Sequence, residues 1–218
     1  TMLERMEDFF ARRVEEYDEH MLYEVEGCEE GYRQMATLVP SHTLNLLDLG
    51  CGTGLELQAI WEKKPDIMVY AIDLCPQMLE KLKEKYADKN MTVVCGDYFR
   101  HPFGRNHFDA AVSFESFHHF VPVEKFRLYR KIWASLRKDG LFLLGDYMVR
   151  STAEEEKLRE EDNRLRQTEG RSREELLHSD IPLTVNHEKE LLRKAGFCHI
   201  TEVWHKGNTV LLQAQKGV

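Results

Sequence analysis

The sequence has little of what marks secreted, membrane-spanning or nucleic-acid-binding proteins. Its 218 residues contain 5 cysteines, an odd number without a Cys-x-x-Cys pair, which argues against a disulfide framework. No apolar run is long enough to span a membrane, and the acidic start of the chain is unlike a signal peptide. The formal net charge of −8 gives no attraction for nucleic-acid phosphates. We therefore expect a cytoplasmic protein with reduced thiols, and neither a membrane nor a nucleic acid as its partner.

What the sequence does have is a regular alternation of apolar runs and amphipathic segments. A hydrophobic content of 42% is enough for the core of one α/β domain. Strands are predicted at 44–49, 67–72, 91–95, 108–114 and 141–148, with helices at 54–63, 76–87, 123–136 and 186–195. Strands 197–204 and 208–215 close the chain as a hairpin. This alternation predicts a mostly parallel sheet that is covered by helices.

Two segments lie outside this alternation. Residues 2–21 have apolar side chains at helical spacing and predict one amphipathic helix that breaks near Tyr17, and a second helix runs from Glu29 to Leu38. Residues 151–180 begin as a helix capped by Ser151 or Thr152, and their charge is typical of a solvated helix face. We therefore divide a single domain into a helical lid (1–40), an α/β core (41–150 and 196–218) and a helical insertion (151–195).

The most informative segment is a glycine-rich loop, Gly50 to Gly54, between a buried strand and a helix. Glycines let the backbone approach a ligand, and a helix start offers free N–H groups, so the loop predicts a nucleotide-like ligand. The dinucleotide pattern Gly-x-Gly-x-x-Gly would need its third glycine where Leu55 stands. A phosphate loop is excluded as well, because no Gly-Lys-Ser/Thr follows.

Together with three later segments, this loop resembles motif I of the class I S-adenosylmethionine (SAM)-dependent methyltransferases. The matching segments are Asp48-Leu-Gly-Cys-Gly-Thr-Gly54, the run that ends in Asp73, the run Met91–Cys95 with Gly96-Asp97-Tyr98, and Phe108–Phe114 at the place of motif IV. They cover roughly residues 44–148 in the order that the family has. The resemblance implies a Rossmann-like fold, with a seven-stranded, mostly parallel sheet, an antiparallel last strand and helices on both faces. It also implies SAM as the cofactor and S-adenosylhomocysteine as its product.

The resemblance assigns cofactor contacts residue by residue. In the family, the aspartate at the position of Asp73 holds the ribose hydroxyls, the one at Asp97 takes the adenine amino group, and the side chain at Tyr98 covers the ring. From the residues alone, Asp73 is equally a helix cap and Asp97 a turn residue. The other expected contacts are Asp48, Gly50, Cys51, Gly52, Gly54, Leu74, Met78 and Phe114.

Methyl transfer itself needs an aligned nucleophile, exclusion of water and, where the nucleophile carries a proton, a base. His118 and His119 follow the fourth strand and are the candidate bases. The N-terminal segment resembles the lid of the family's small-molecule members, and this resemblance implies that Tyr17 lies near the methionine end of the cofactor. Local packing is the alternative for each of these three residues. The candidate substrate contacts are Glu115, Asp146, Tyr147, Arg171 and Arg173. No metal is expected, because neither a His pair at i, i+4 nor a cluster of carboxylates is visible near these histidines.

These features predict a metal-independent methyltransferase that moves the SAM methyl group to a small molecule by in-line SN2 displacement. Two alternatives stay open. The lid and residues 185–197 show a weaker resemblance to carboxy-SAM synthase, an enzyme of tRNA wobble-uridine modification that grips a carboxylate with an arginine of its insertion. A SAM-binding protein without turnover is the other alternative. The sequence leaves open a homodimer, the methyl acceptor and the accepting atom.

Overall fold

A seven-stranded sheet forms the centre of the protein, in a computed structural model that describes residues 2–217. The strands are β1 (Glu4–Arg5), β2 (Asn45–Leu49), β3 (Met68–Asp73), β4 (Met91–Cys95), β5 (Phe108–Phe114), β6 (Leu136–Tyr147), β7 (Leu177–His178), β8 (Phe197–Lys206) and β9 (Thr209–Lys216). The sheet order is β4-β3-β2-β5-β6-β9-β8, and β1 pairs with β7 apart from it. Only β9 runs antiparallel in the main sheet. This confirms the predicted sheet and its antiparallel last strand.

Helices cover both faces of the sheet. They are α1 (Met6–Ala11), α2 (Val14–Glu19), α3 (Cys28–Leu38), α4 (Leu55–Lys63), α5 (Pro76–Lys85), α6 (Pro122–Ser135), α7 (Thr152–Glu169) and α8 (Val185–Ala195). Apolar side chains of α3, α4 and α5 bury one face, and those of α6 and α8 bury the other. The central strands are therefore apolar on both sides, which explains their continuous hydrophobic runs. Within residues 2–217, no helix has the length and apolar character that a membrane span requires.

The boundaries of β4 and β5 agree with the prediction, but the start of β6 does not. We predicted a helix to 136 and a strand from 141, whereas α6 ends at Ser135 and β6 begins with the next residue. Leu136 already pairs with Phe108, and the register shifts before Leu141 pairs with Ala110. Asp139 has a φ of +62° in this irregular part of the strand. The Asp139-Gly140 pair therefore marks a distortion in a strand and not a helix end.

The lid differs from the single helix that we predicted. It consists of β1, α1, α2 and a π-helical turn (His20–Glu24), and its break lies between Ala11 and Val14 and not near Tyr17. Contacts from distant parts of the chain hold this shape. Met6 N–H donates to the Leu176 carbonyl oxygen (2.9 Å), and Lys81 Nζ donates to the Val14 carbonyl oxygen (2.8 Å). Helical spacing could not reveal these contacts, because their partners lie far away in sequence.

The insertion begins as predicted but is less solvated than its charge suggested. Ser151 is the N-cap of α7 and accepts a hydrogen bond from the Glu154 N–H (3.2 Å). Three charged residues of the helix are nevertheless buried, namely Glu155, Asp162 and Arg166. Glu155 accepts hydrogen bonds from the Thr184 N–H and from His187, which docks α7 against the start of α8. Part of the charge run therefore packs the insertion onto the core.

A buried ion pair joins α6 to α8. Lys125 and Glu188 contact each other with no exposed side-chain surface, and Tyr129 Oη donates to the same carboxylate (2.5 Å). Breaking such a pair costs more than replacing both charges, because the remaining charge stays buried and unpaired.

We therefore expect Lys125→Met to lower the free energy of unfolding by about 3–5 kcal/mol. The double variant Lys125→Met, Glu188→Gln leaves no unpaired charge and keeps an acceptor for Tyr129, so it should recover most of that loss. Urea unfolding of the two variants and the wild type measures both values. Equal losses in the single and double variants would show that the ion pair has no such role.

Candidate functional site

A cleft opens at the carboxyl ends of β2, β3, β4 and β5, where ligands of open α/β sheets bind. The glycine loop, the three following strand ends, the lid and the insertion all contribute to its lining. The lining residues are Met6, Glu7, Phe10, Tyr17, Gly50, Gly52, Asp73, Leu74, Cys75, Met78, Gly96, Asp97, Tyr98, Phe99, Glu115, Ser116, His119, Phe120 and Leu176. The fold therefore brings the four predicted motifs to one place.

The three glycines of the loop all have positive φ angles, of +71°, +50° and +82° for Gly50, Gly52 and Gly54. A Cβ on Gly50 would lie 2.1 Å from Ser116 Oγ, and one on Gly54 would lie 2.4 Å from Leu82 Cδ1. A Cβ on Gly52 would have no neighbour closer than Tyr17, at 3.7 Å. Gly50 and Gly54 are therefore needed for packing, whereas Gly52 presents open backbone to the cleft.

Asp73 connects the glycine loop to the start of α5. One carboxylate oxygen accepts the Gly52 N–H (2.9 Å) and the other accepts the Cys75 N–H (2.9 Å). Burial raises the pKa of this carboxyl above its ordinary value, although these backbone donors lower it again. A carboxylate oxygen has two lone pairs, so each can accept a further hydrogen bond from a ligand in the cleft.

Asp97 and Tyr98 form the far wall of the cleft. Asp97 Oδ1 accepts the Phe99 N–H (2.8 Å), and the buried Tyr98 shares a hydrogen bond with Ser116 Oγ (2.9 Å). Leu74 and Met78 complete the apolar part of the cleft. An acid next to an aromatic ring is the arrangement that we expect for an adenine.

Four of the predicted cofactor contacts lie behind the cleft and not in its lining. Phe114 packs against Tyr32 with ring centroids 4.4 Å apart, because a strand side chain at this position points into the core. Cys51 and Gly54 are covered by the loop and by α5. Asp48 is fully buried beside Glu56, and burial raises the pKa of Asp48 well above its ordinary value. These residues therefore support the loop from below.

A second cavity of about 830 Å³ adjoins the cleft on the side of the lid. Four residues line both spaces and so define their junction: Phe10, Tyr17, Glu115 and His119. The second cavity is further lined by Phe9, Arg13, Glu16, Glu19, His20, Met21, Glu24, Val25, Glu26, His118, Tyr147, His178, Asp180, Asn208 and Thr209. Burial raises the pKa of Tyr17 well above its ordinary value, so its hydroxyl is a hydrogen-bond donor and not a base.

Of the two adjacent histidines, His118 is charged near neutral pH and His119 is neutral. Burial disfavours the charged form of His118, but Asp146 at 2.6 Å and Asp180 at 3.5 Å raise the pKa of this histidine well above its ordinary value. Burial and the nearby charge of His118 lower the pKa of His119. His119 Nδ1 donates to the Ser179 carbonyl oxygen (3.0 Å), which leaves the Nε2 lone pair free in the neutral ring. Of the two candidates, only His119 is therefore suited to accept a proton near neutral pH.

Glu115 stands at the junction in an unusual conformation. Its φ is +51°, in the left-handed region, and its side chain is only 9% exposed. Its Oε1 is buried without a hydrogen-bond partner among residues 2–217. Burial raises the pKa of Glu115 to about 8. A strained backbone with an unsatisfied buried polar atom is typical of a functional position.

The two arginines predicted as substrate contacts lie outside both spaces. Arg171 pairs with Glu175 (3.0 Å), and Arg173 pairs with Asp162 of α7. Carboxylates of the insertion itself hold their guanidinium groups, so the structure does not bring these two arginines into the cleft or the second cavity. Tyr147 does line the second cavity. Asp146 is buried behind the lining and contacts His118, which lines the cavity.

The fold also gathers carboxylates around the histidines, which the sequence did not reveal. Ligand atoms of His118, His119 and Asp180 lie within 4.8 Å of one another, as do those of Glu115, His118 and Asp146. Such side chains can bind divalent cations. Nδ1 of each histidine is however already engaged, with Asp146 and with the Ser179 carbonyl oxygen.

Sequence reasoning also missed His178 and Asp180. His178 stacks on Phe9 with ring centroids 3.5 Å apart, and Asp180 faces both His118 and His119. Both follow from the pairing of β7 with β1, which folds the end of the insertion over the cleft. The signal was the short polar run at 178–180 after Leu176-Leu177, which interrupts an otherwise charged segment.

Comparison with known proteins finds SAM-related enzymes, mostly methyltransferases, among the similar sequences. The sequence profile of the methyltransferase domain family matches residues 47–144. A malonyl-acyl-carrier-protein O-methyltransferase of Priestia megaterium is 24% identical over 63% of this chain and 49% of its own length. The chain thus spans about half the length of that relative. A carboxy-SAM synthase of Helicobacter pylori is 30% identical over 78% of this chain and 75% of its own length.

Solved structures share the fold. A chain in the complex between the Haloferax volcanii Trm112 methyltransferase activator and a methyltransferase superimposes with a TM-score of 0.73 at 16% identity, over 98% of this chain and 97% of its own. Human N-acetylserotonin methyltransferase in complex with SAM superimposes with a TM-score of 0.65 at 19% identity, over 88% of this chain and 53% of its own.

If Asp73 holds the ribose, Asp73→Ala should weaken SAM binding by about 1–3 kcal/mol, because the ribose hydroxyls lose their acceptor and the loop loses its tie to α5. Asp66→Ala, at an exposed position just before the same strand, removes the same charge and is the matched control. Titration calorimetry with SAM measures both. Unchanged affinity in Asp73→Ala would contradict our placement of the cofactor.

Proposed function

This chain belongs to the class I SAM-dependent methyltransferase family, and we propose that it methylates a small molecule bound in the second cavity. It is an enzyme whose cofactor is SAM. The observation that carries the proposal is the junction of cleft and cavity at Phe10, Tyr17, Glu115 and His119. At this junction, an acceptor bound in the cavity would meet the methyl group of a cofactor bound in the cleft. The four side chains of the junction would contact both molecules.

The cleft fits SAM on three counts. Gly52 leaves its backbone open to the ligand, and the Asp73 carboxylate keeps unused lone pairs for hydroxyl groups. Asp97 and Tyr98 stand where an amino group and an adenine ring are expected. We therefore assign the adenosine part to β3 and β4 and the methionine part to the glycine loop and Tyr17.

When bound, SAM supplies an electrophilic methyl group, and direct in-line displacement needs no covalent enzyme intermediate. The protein excludes water through the lid and holds the acceptor at the junction. His119 Nε2 takes the proton that the acceptor atom gives up, since its ring is neutral. His118 stays charged between Asp146 and Asp180 and supports the neutral state of its neighbour.

The mechanism that we propose is metal-independent. The short contact of His118 with Asp146 and the hydrogen bond of His119 to Ser179 account for one nitrogen of each ring. Methyl transfer from a sulfonium also requires no Lewis acid. A chelator should accordingly leave turnover unchanged.

A carboxy-SAM synthase activity is the second candidate, because the Helicobacter pylori relative covers more of this chain than the malonyl-acyl-carrier-protein relative does. The geometry favours it less. Arg171 and Arg173 are paired with carboxylates of the insertion, and Arg13 is the only guanidinium in the lining of the second cavity within the described residues.

Mass spectrometry of the ligand that co-purifies with the protein separates these two candidates. We expect SAM or S-adenosylhomocysteine, because both arginines of the insertion are paired with its own carboxylates. A SAM adduct heavier by one carboxyl group would instead support the synthase. Release of S-adenosylhomocysteine with a metabolite pool would exclude a pure binding protein.

His119→Asn should lower kcat by about 100- to 10,000-fold, because the amide keeps the bond to Ser179 but cannot accept the proton. The pH profile gives a second readout. The basic form of His119 is active and its pKa lies below the ordinary value, so wild-type kcat should fall with decreasing pH only below about pH 6.5. The decrease of kcat at acidic pH should be absent in His119→Asn.

The assay follows S-adenosylhomocysteine release with an acceptor found in a metabolite screen. His42→Gln, at an exposed histidine outside both cavities, is the control and should behave as wild type. Wild-type turnover in His119→Asn would remove His119 from the mechanism and leave the family assignment intact.

A further inference from the structure

Carboxylates surround the second cavity. Four stand on the exposed part of the lid, namely Glu16, Glu19, Glu24 and Glu26. Asp180 is half-exposed beside the histidines, and Glu115 is buried at the junction. One cation, Arg13, also lines the cavity; its guanidinium lies 3.7 Å from the centroid of the Phe9 ring and 3.9 Å from Glu4, and it is outnumbered by the carboxylates. The mouth of the cavity is therefore negatively charged.

The histidines of the cavity do not cancel the negative charge of its mouth. His118 is charged, but Asp146 and Asp180 face it. Burial lowers the pKa of His119 and lowers the pKa of His178 to about 4, so both are neutral near pH 7. His20 at the mouth pairs with Glu24 at 2.8 Å. A ligand in this cavity thus meets an excess of acceptors and negative charge.

A second observation, independent of the charge count, lies at the junction. Glu115 Oε1 is buried and has no hydrogen-bond partner within residues 2–217, and the side chain borders both the cleft and the cavity. An unsatisfied buried acceptor is costly in the free protein. A donor on the ligand would satisfy it, and an ammonium donor would satisfy it most strongly.

Aromatic rings complete the wall. Phe9, Phe10, Tyr17 and Tyr147 line the cavity. Aromatic faces attract organic cations and also bind apolar skeletons. The combination of rings with carboxylates suits a positively charged organic molecule better than a neutral or acidic one.

We propose that the methyl acceptor is a cationic amine whose ammonium group is bound by Glu115 at the junction, and that the enzyme is an N-methyltransferase. This inference rests on the proposed function. In the step, the ammonium nitrogen gives one proton to His119 Nε2. Its freed lone pair forms the bond to the methyl carbon while the carbon–sulfur bond breaks and its electron pair stays on sulfur. The products are the N-methylated ammonium and neutral S-adenosylhomocysteine, and the imidazolium of His119 then releases its proton to water.

The state of Glu115 agrees with this role. Burial raises the pKa of Glu115 to about 8, so the carboxyl group of the free protein is mostly protonated at pH 7. An ammonium group beside it favours the carboxylate, and the carboxyl proton is then released to water. Neutral acceptors offer no such charge. Carboxylate acceptors would add a further negative charge to the cavity.

Matched ligand pairs test the proposal. The probes are butylamine, 2-phenylethylamine and 3-phenylpropylamine, each with the alcohol of the same skeleton. Binding is measured by calorimetry on protein loaded with S-adenosylhomocysteine, and turnover by S-adenosylhomocysteine release from SAM. We expect at least one amine to bind roughly 10-fold or more tightly than its alcohol and to be N-methylated. Equal or tighter binding of the alcohols throughout would overturn the proposal.

Glu115→Gln keeps the shape of the side chain and removes its charge. It should weaken binding of the preferred amine roughly 10- to 100-fold and change binding of the alcohol little. Glu160→Gln, on the exposed part of α7 and outside both cavities, removes the same charge and should have no effect. S-adenosylhomocysteine affinity and the melting temperature show that Glu115→Gln is folded. If that variant is unstable, Glu16→Gln with Glu19→Gln at the mouth replaces it, with a smaller loss that added salt reduces.

These outcomes distinguish a failure of the amine proposal from a failure of the proposed function. Methylation of alcohols with no preference for amines would refute the amine class and leave the methyltransferase. Failure of the folded protein to bind SAM would refute the proposed function itself.

Discussion

The structure of the site depends on one carboxylate. Asp73 accepts backbone N–H groups from Gly52 of the glycine loop and from Cys75 at the start of α5. It thereby joins two segments of the cleft that follow different strands. The loop can approach this carboxylate only because its three glycines have positive φ angles and because no Cβ blocks Ser116 or Leu82. The nucleotide-like character of the site follows from this local geometry, since the carboxylate lies where two parallel strands end side by side.

Backbone geometry shapes the cleft around Asp73, whereas charged side chains determine the properties of the second cavity. The cleft is lined mainly by the glycine loop and the ends of the strands. The second cavity is defined by buried titratable groups, and these influence one another. Asp146 and Asp180 keep His118 charged, and that charge helps to keep His119 neutral. The assignment of His119 as the base therefore depends on Asp146 and Asp180, neither of which lines the cleft.

The sequence predicted the parts of the fold that depend on neighbouring residues. β5 has the predicted boundaries because a continuous apolar run marks a strand that is buried on both faces. β4 also has the predicted boundaries, although it is an edge strand that is only partly buried. Ser151 was predictable as an N-cap, and Asp73 and Asp97 as residues of the cleft. The sequence could not predict the two helices of the lid, the ion pairs that hold Arg171 and Arg173, or the approach of Asp180 to the histidines. Each depends on a partner that is distant along the chain, and spacing carries no information about such partners.

The short ribbon of β1 and β7 joins the walls of the cleft and of the second cavity. Met6 and Leu176, joined by a backbone hydrogen bond of 2.9 Å, line the cleft. Phe9 and His178, stacked a few residues further along the same two segments, line the second cavity. A single pairing of lid and insertion thus supplies a wall to both spaces. In the proposed reaction water has to be kept from the junction, and this pairing would contribute to that although neither of its strands carries a proposed catalytic group. The second cavity thus combines residues of the family's matched segment at 47–144, such as Glu115 and His119, with residues of the lid and the insertion that lie outside it.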